Sequence, residues 1–330
     1  MTPALRNKLP LLATAGIAIL LFAAASLLYP GFCAPQVVIN FFTDNAFLGI
    51  VAVGMTLVIF TGGIDLSVGA VVGFTAIFTA TLIQNHGVHP LLAAALALAT
   101  GAAFGAFMGA IIHIFKQPPF LITLAGMFLA RGAAFWITTD QIEVQHPLYN
   151  TIRQIEWNLG STYLSLNAVL LILTLLAGYI TAHHTRFGRN LIAIGGNEQS
   201  ALLMGLPVGA TKIAVYALSS LLAAFAGIVA MLAMSGNPSL GNGMELDAIA
   251  VVVIGGTLLS GGRGHMLGTL FGFLAFSTIQ GAITFDGRLN SAWTRIVVAA
   301  LLLVFILLQR TLANMKIPSN RKTPQPGAAD

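Results

Sequence analysis

Cysteine, charge and catalytic signatures are all scarce in this chain. Cys33 is the only cysteine among 330 residues, which excludes an intramolecular disulfide and any multi-cysteine metal site. Its Pro-Gly-Phe-Cys surroundings do not resemble a lipid-attachment site. Charged residues make up 8% against a hydrophobic share of 57%, and the mean hydropathy of +0.89 excludes an ordinary soluble domain. No lysine follows a glycine, so there is no phosphate-binding Gly-Lys-Ser/Thr loop and the chain cannot be its own ATPase. The HExxH and GxSxG patterns are missing too, which leaves protease and hydrolase readings without support. The seven histidines show no metal-like spacing, and His183-His184 reads as a solvated loop end. The net charge of +5 comes without a basic face interleaved with aromatics, so nucleic acid is not an expected partner.

What is present is a series of long apolar runs. Dividing them at a span length of about 20 residues gives roughly ten segments: 11–29, 42–61, 64–85, 90–115, 119–139, 164–182, 213–234, 246–260, 264–283 and 291–312. The expected fold is therefore all-α, a polytopic membrane protein whose second and eighth segments run into glycine breaks. The first run follows Arg6 and Lys8 like a signal peptide, but it is long enough to span and more spans follow, so it reads as an uncleaved helix. With residues 1–10 cytoplasmic, ten spans return the C-terminus to the cytoplasm. Arg6, Lys8, Lys116, Arg186, Arg189, Lys212, Arg263, Arg310, Lys316, Arg321 and Lys322 then lie inside, with Arg153 and Arg288 outside, as the positive-inside rule requires. The membrane domain covers 11–312. Residues 313–330, polar and proline-rich from Pro318, read as a disordered cytoplasmic tail. Trp136, Trp157 and Trp293 fall near the outer interface, where aromatic belts form.

One polar interruption, 183–212, lies between two spans and on the cytoplasmic side. It carries a short helix signal: Asn197 as N-cap, Glu198 in the first turn and Gly205 as the stop. Two turns of helix do not stand alone in water, so Ala201, Leu202 and Met204 need an apolar surface. Either the loop folds back on its own membrane domain or it docks into a partner.

The chain also repeats. Thr61-Gly62-Gly63, Gly69 and Gly73-Phe74 recur as Ser260-Gly261-Gly262, Gly268 and Gly272-Phe273, at a constant offset of 199 positions. Paired glycine-interrupted segments point to a transport pathway through Gly62, Gly63, Gly261 and Gly262; they equally suit tight turns and close helix packing. Asp65 and Ser67, just after the first pair, could contact a ligand, or Asp65 could cap the next helix. Arg131 lies inside the 119–139 span, where it should seek a carboxylate partner or meet substrate. Asp44, Asn45, Glu245 and Asp247 sit near outer helix edges, where they cap helices or meet an arriving partner.

Gly62-Gly63-Ile64-Asp65-Leu66-Ser67-Val68-Gly69 resembles the signature of the bacterial ABC-type monosaccharide permeases, the group that includes ribose and xylose importers. Thr185-Arg186-Phe187-Gly188, Ala193-Ile194-Gly195-Gly196-Asn197 and Ala201…Gly205 resemble that family's cytoplasmic coupling segment, and Ile254–Gly262 completes the match. The resemblance covers about 8–312. A finer resemblance, on Thr43–Ile50, Glu245–Ala250, Phe285-Asp286-Gly287 and Trp293-Thr294, is to the second permease of the galactofuranose importers. It implies a bacterial inner-membrane subunit that is not itself an enzyme and binds no cofactor. ATP and Mg are used by a cytoplasmic ATPase that contacts Arg186, Phe187, Gly188, Gly195, Gly196, Asn197, Ala201 and Gly205. A periplasmic sugar-binding protein delivers the monosaccharide, and a second, homologous permease completes a heterodimer rather than a homodimer. Asn45 and Phe47 join the pathway candidates on the finer match. Two other classes stay open: an ion-coupled carrier or channel, marked by ionisable pairs at mid-membrane, and a structural membrane protein, which would not need paired broken helices.

Overall fold

The computed structural model describes residues 3–288, 292–293 and 296–304. Its elements run α1 (Pro3–Leu28), α2 (Pro35–Asp44), α3 (Ala46–Phe60), α4 (Val68–Gln84), α5 (Pro90–Ile114), α6 (Pro119–Ile137), α7 (Pro147–Arg153), β1 (Glu156–Asn158), β2 (Tyr163–Ser165), α8 (Leu166–His184), α9 (Arg186–Gly196), α10 (Glu198–Leu203), α11 (Val208–Ala233), α12 (Met244–Ile254) and α13 (Met266–Asp286). The two three-residue strands pair antiparallel, Trp157 opposite Leu164. Among the described residues the fold is all-α apart from this hairpin.

Among the described residues, six helices are long and apolar enough to span a membrane, and the bent pair α2–α3 makes a seventh. The expectation of ten spans therefore counts some segments that are not full-length spans. The run 64–85 yields a 17-residue helix, because Gly62 takes a left-handed turn at φ +78° and helix resumes only at Val68. The run 246–260 yields 11 residues, about 16 Å of helix, because Gly255 and Gly256 end it. The backbone of Gly268 packs so closely on Gly255 that no side chain fits between them. Of the expected tenth span, 291–312, only 292–293 and 296–304 are described, and the tail 313–330 lies outside the described residues.

α3 forms the axis of the fold: every residue from Leu48 to Phe60 is buried. α11 packs beside it and against α4 and α5. Gly101, Gly105 and Gly109 line one face of α5 at four-residue spacing, against Ala224, Ser220, Tyr216 and Ile213 of α11. Small residues at this spacing let membrane helices approach closely, where packing rather than water drives association. The helix–break–helix order of the sequence repeat recurs as α3–break–α4 and α12–break–α13, and Thr56 of the first half bonds Thr269 of the second at 2.8 Å.

The stretch 183–212 differs from the expected loop with one short helix; it holds two helices. Thr185 caps α9, its Oγ1 accepting from the Gly188 N–H at 3.1 Å; Leu191 is buried against Phe187, and Ile194 against Ala201 and Val208. That i, i+4, i+7 apolar spacing is the sequence signal for α9. α10 matches its expected caps: Asn197 Oδ1 accepts from Ser200 N–H at 2.8 Å, and Gly205 turns at φ +76°. His183 is not a solvated loop end. Its ring stacks on His265 at 4.1 Å, and its Nε2 accepts from the Met266 N–H at 3.0 Å, which ties α8 to the start of α13.

Candidate transport site

Two sites stand at opposite ends of α3, about 22 Å apart by helix rise. At its C-terminal end, three glycine pairs meet. The Gly262 N–H donates to Phe60 O at 3.0 Å, and a Cβ on Gly62 would stand 3.1 Å from Ser260 O. Gly261 and Gly262 both have positive φ, +77° and +72°, and lie directly on Gly195 and Gly196 of α9. Both halves' breaks and the α9 helix thus share one backbone-to-backbone junction. Tight packing is what the glycines do here, and Gly62, Gly63, Gly261 and Gly262 are not among the residues lining the cavity described next.

Beside this junction α10 presents two faces. Ala201 is fully buried among Ile194, Leu206 and Val208, so the loop does fold back on its own domain. Leu202, Leu203 and Met204 point away; Leu203 is 89% exposed. A bidentate contact of Lys212 Nζ with Glu198 at 2.7 Å pins α10 to α11. Arg186 is exposed, whereas Phe187 and Gly188 are covered by α8 and α3. Leu202, Leu203 and Met204 thus form an exposed apolar triplet at the end of α10.

At the other end of α3 lies a cavity of about 450 Å³, within the range of roughly 300–1,000 Å³ typical of small-molecule sites. Asn45 and Phe47 line it, as does Leu48. The turn segment 237–242 closes one side, Met244 and Asp247 of α12 another, and Phe276 and Gln280 of α13 a third. Asn45 stands at the 64° bend between α2 and α3, its Nδ2 within 3.4 Å of Ser277 Oγ. Gln280 Oε1 is buried without a hydrogen-bond partner among the described residues. Amides and a carboxylate pair with hydroxyl groups, which donate and accept, and the rings of Phe47 and Phe276 offer apolar faces. Sequence reasoning missed Asn237, Ser239, Asn242 and Gln280. Gln280, polar inside an apolar run, and the Gly/Asn/Ser-rich 235–243 were the available signals.

The remaining candidates lie between these ends. Asp65 is fully buried but does not cap α4, whose N-cap is Ser67. Its Oδ1 accepts from Ser67 N–H at 3.0 Å and Ser67 Oγ at 2.6 Å, and its Oδ2 from Ser219 Oγ at 2.8 Å. Ser219 is near the midpoint of the 26-residue α11, so Asp65 sits mid-span rather than beside a cytoplasmic turn. Arg131 finds carbonyls instead of a carboxylate: its Nη1 donates to Pro238 O at 2.9 Å and Leu240 O at 2.8 Å. Glu245 and Asp247 occupy the first turn of α12, where negative charge favours the helix dipole.

With this geometry in hand, comparison with known proteins defines the class. Residues 37–307 match the family model described as branched-chain amino acid transport system / permease component. The chain belongs to this family of membrane permeases. Among its relatives, the inner membrane ABC transporter permease protein YjfF of Escherichia coli is 49% identical over 310 residues, covering 93% of this chain and 94% of that protein. The fructose import permease protein FruG of Bifidobacterium longum is 41% identical, covering 93% of this chain and 92% of that protein. The ribose import permease protein RbsC of Bacillus subtilis is 37% identical, covering 88% and 90%. One of these relatives is named as an ABC transporter permease and the other two as import permeases for sugars. No solved structure matches the chain.

Proposed function

We propose that this chain is the inner-membrane permease subunit of an ATP-driven sugar importer, and that the cavity at the start of α3 admits galactofuranose or a related monosaccharide. The observation that carries the reading is the cavity's lining, which sets Asn45, Asn237, Asn242, Asp247 and Gln280 beside the rings of Phe47 and Phe276. Amide and carboxylate groups next to apolar ring faces suit a hydroxylated ring. The relatives named for ribose and fructose import support a sugar over an amino acid.

In this reading the α9–α10 end is cytoplasmic, as are both termini, and the cavity faces a periplasmic binding protein. ATP and Mg²⁺ belong to a partner ATPase that seats on Leu202, Leu203 and Met204. Closure of the ATPase pair pushes α9 against the glycine junction. α3 and α12, each joining the junction to the cavity, carry the movement across the membrane, which gives alternating access. An ion-coupled carrier could draw on Asp65, but both of its oxygens are taken up by Ser67 and Ser219. The exposed apolar triplet has no use in a carrier.

Transport by a strain lacking the native permease tests the cavity and the sugar together. Asn45→Ala and Gln280→Ala are expected to raise KM for labelled galactofuranose about tenfold each, in line with the loss of one well-placed hydrogen bond. Unchanged KM in both variants would remove the cavity from the route. Uptake of ribose or fructose with no competition from galactofuranose would reassign the sugar.

The second permease is proposed to be a homologous, different chain. Tagging this chain in two ways and purifying through one tag should recover a transport-competent complex without the other tag. Recovery of both tags would establish a homodimer.

A further inference from the structure

The segment between α11 and α12 dips back toward the cavity as three successive, overlapping turns. It is fixed at its start by an antiparallel bridge, Ile142 N–H to Gly236 O at 2.8 Å and Gly236 N–H to Ile142 O at 2.9 Å. Within the turns, Asn237 O accepts from Leu240 N–H, Ser239 O from Asn242 N–H and Gly241 O from Met244 N–H. The segment therefore satisfies alternate carbonyls itself and leaves those of Pro238 and Leu240 over. Buried carbonyls need partners, and Pro238 is buried. Arg131 Nη1, reaching from α6, supplies both, at 2.9 and 2.8 Å.

The space for this contact is made by Gly73 of α4. A Cβ there would stand 2.6 Å from Leu240 O, 2.8 Å from Arg131 Nη1 and 2.9 Å from Pro238 O. Glu245, in the first turn of α12, attracts the guanidinium electrostatically and holds it near the segment. Asn237, Ser239 and Asn242 of the same turns line the cavity, and Arg131 does not.

We infer that Arg131 is a positioning residue for the sugar cavity: it fixes the turn segment, and with it Asn237, Ser239 and Asn242, through the carbonyls of Pro238 and Leu240. The inference rests on the cavity being the sugar's route. It assigns Gly73 a matching duty, to leave room for the clamp. A charge in the span that serves backbone and not ligand also explains why no carboxylate is bonded to it directly.

The test is a KM-against-kcat split for sugar uptake by the full importer in proteoliposomes, with Asn45→Ala as reference. Arg131→Met, which keeps the side chain's bulk and loses its donors, should raise KM about tenfold or more with kcat for transport nearly kept. Arg131→Lys, whose ammonium can serve both carbonyls from one point, should recover most of the loss. Gly73→Ala should reproduce the Arg131→Met defect, and the double variant should be no worse than either alone, because both break one contact. Additive defects, or a fall in kcat at constant KM, would overturn the inference, as would Arg131→Met with an unchanged KM while Asn45→Ala raises it. If Asn45→Ala and Gln280→Ala also leave KM unchanged, the cavity reading itself fails. Should Arg131→Met not accumulate in the membrane, Arg131→Lys and Gly73→Ala still decide the matter by their KM.

Discussion

Replacing Gly195 with alanine is expected to cut uptake to roughly a tenth or less while leaving the chain in the membrane, from a packing cost of the size seen when a core is overfilled, about 1–3 kcal/mol and more against rigid backbone. The added Cβ would fall onto Phe60 O and 2.5 Å from Gly262 N. Those two atoms are already bonded to each other at 3.0 Å. Neither belongs to a side chain that can swing away, so α9 must separate from both glycine breaks at once. Gly196→Ala is the control: nothing lies within 4 Å of its Cβ position, and it should transport normally. Uptake rate per unit of membrane-inserted protein is the measurement. Normal uptake by Gly195→Ala, or equal damage from Gly196→Ala, would separate the junction from transport.

Leu203→Asp is expected to have the second large effect, on assembly. Leu203 is 89% exposed and its neighbour Ala201 fully buried, so a charge at 203 costs the permease itself almost nothing. At the centre of a docked apolar face it should weaken the ATPase by about 2–4 kcal/mol, roughly thirtyfold to a thousandfold in affinity. Co-purification of the ATPase through a tag on this chain, with the thermal stability of the permease measured in parallel, reads both halves of the expectation. An ATPase that stays bound to a normally stable Leu203→Asp permease would show that α10 is not its seat.

Much of this architecture was legible because membrane helices announce themselves by composition. The boundaries of α5, α6, α8 and α11 follow their apolar runs to within a few residues. The count of spans was less secure for a physical reason: hydropathy does not distinguish a full span from a half-length helix ended by glycine, and α12 looks as apolar as α13. The caps of α10 were readable from Asn197 and Gly205. α9 was not, because its apolar residues sit in a polar, glycine-bearing stretch and depend on neighbouring elements for burial. Of the site, Asn45 and Phe47 were found through a family resemblance, whereas Gln280 needed the fold to bring α13 beside α3. The glycines were visible as a repeat, but their meeting with Gly195 and Gly196 is a long-range contact no local pattern carries. Arg131 was expected to find a carboxylate or meet substrate; that its partners are instead backbone carbonyls lies in the turns of 237–242, which sequence spacing does not reveal.

Asp65 has a consequence for how the chain is made. Its Oδ2 is met by Ser219, 154 residues later. At ribosomal speeds of about 5–20 residues per second, that interval lasts roughly 10–30 s. Throughout it the first half of the protein carries a carboxylate with half its partners still unsynthesised, in a bilayer that tolerates such groups poorly. The broken segment after α3 therefore cannot settle until α11 enters. The nascent domain must remain open, or shielded by the insertion machinery, until then.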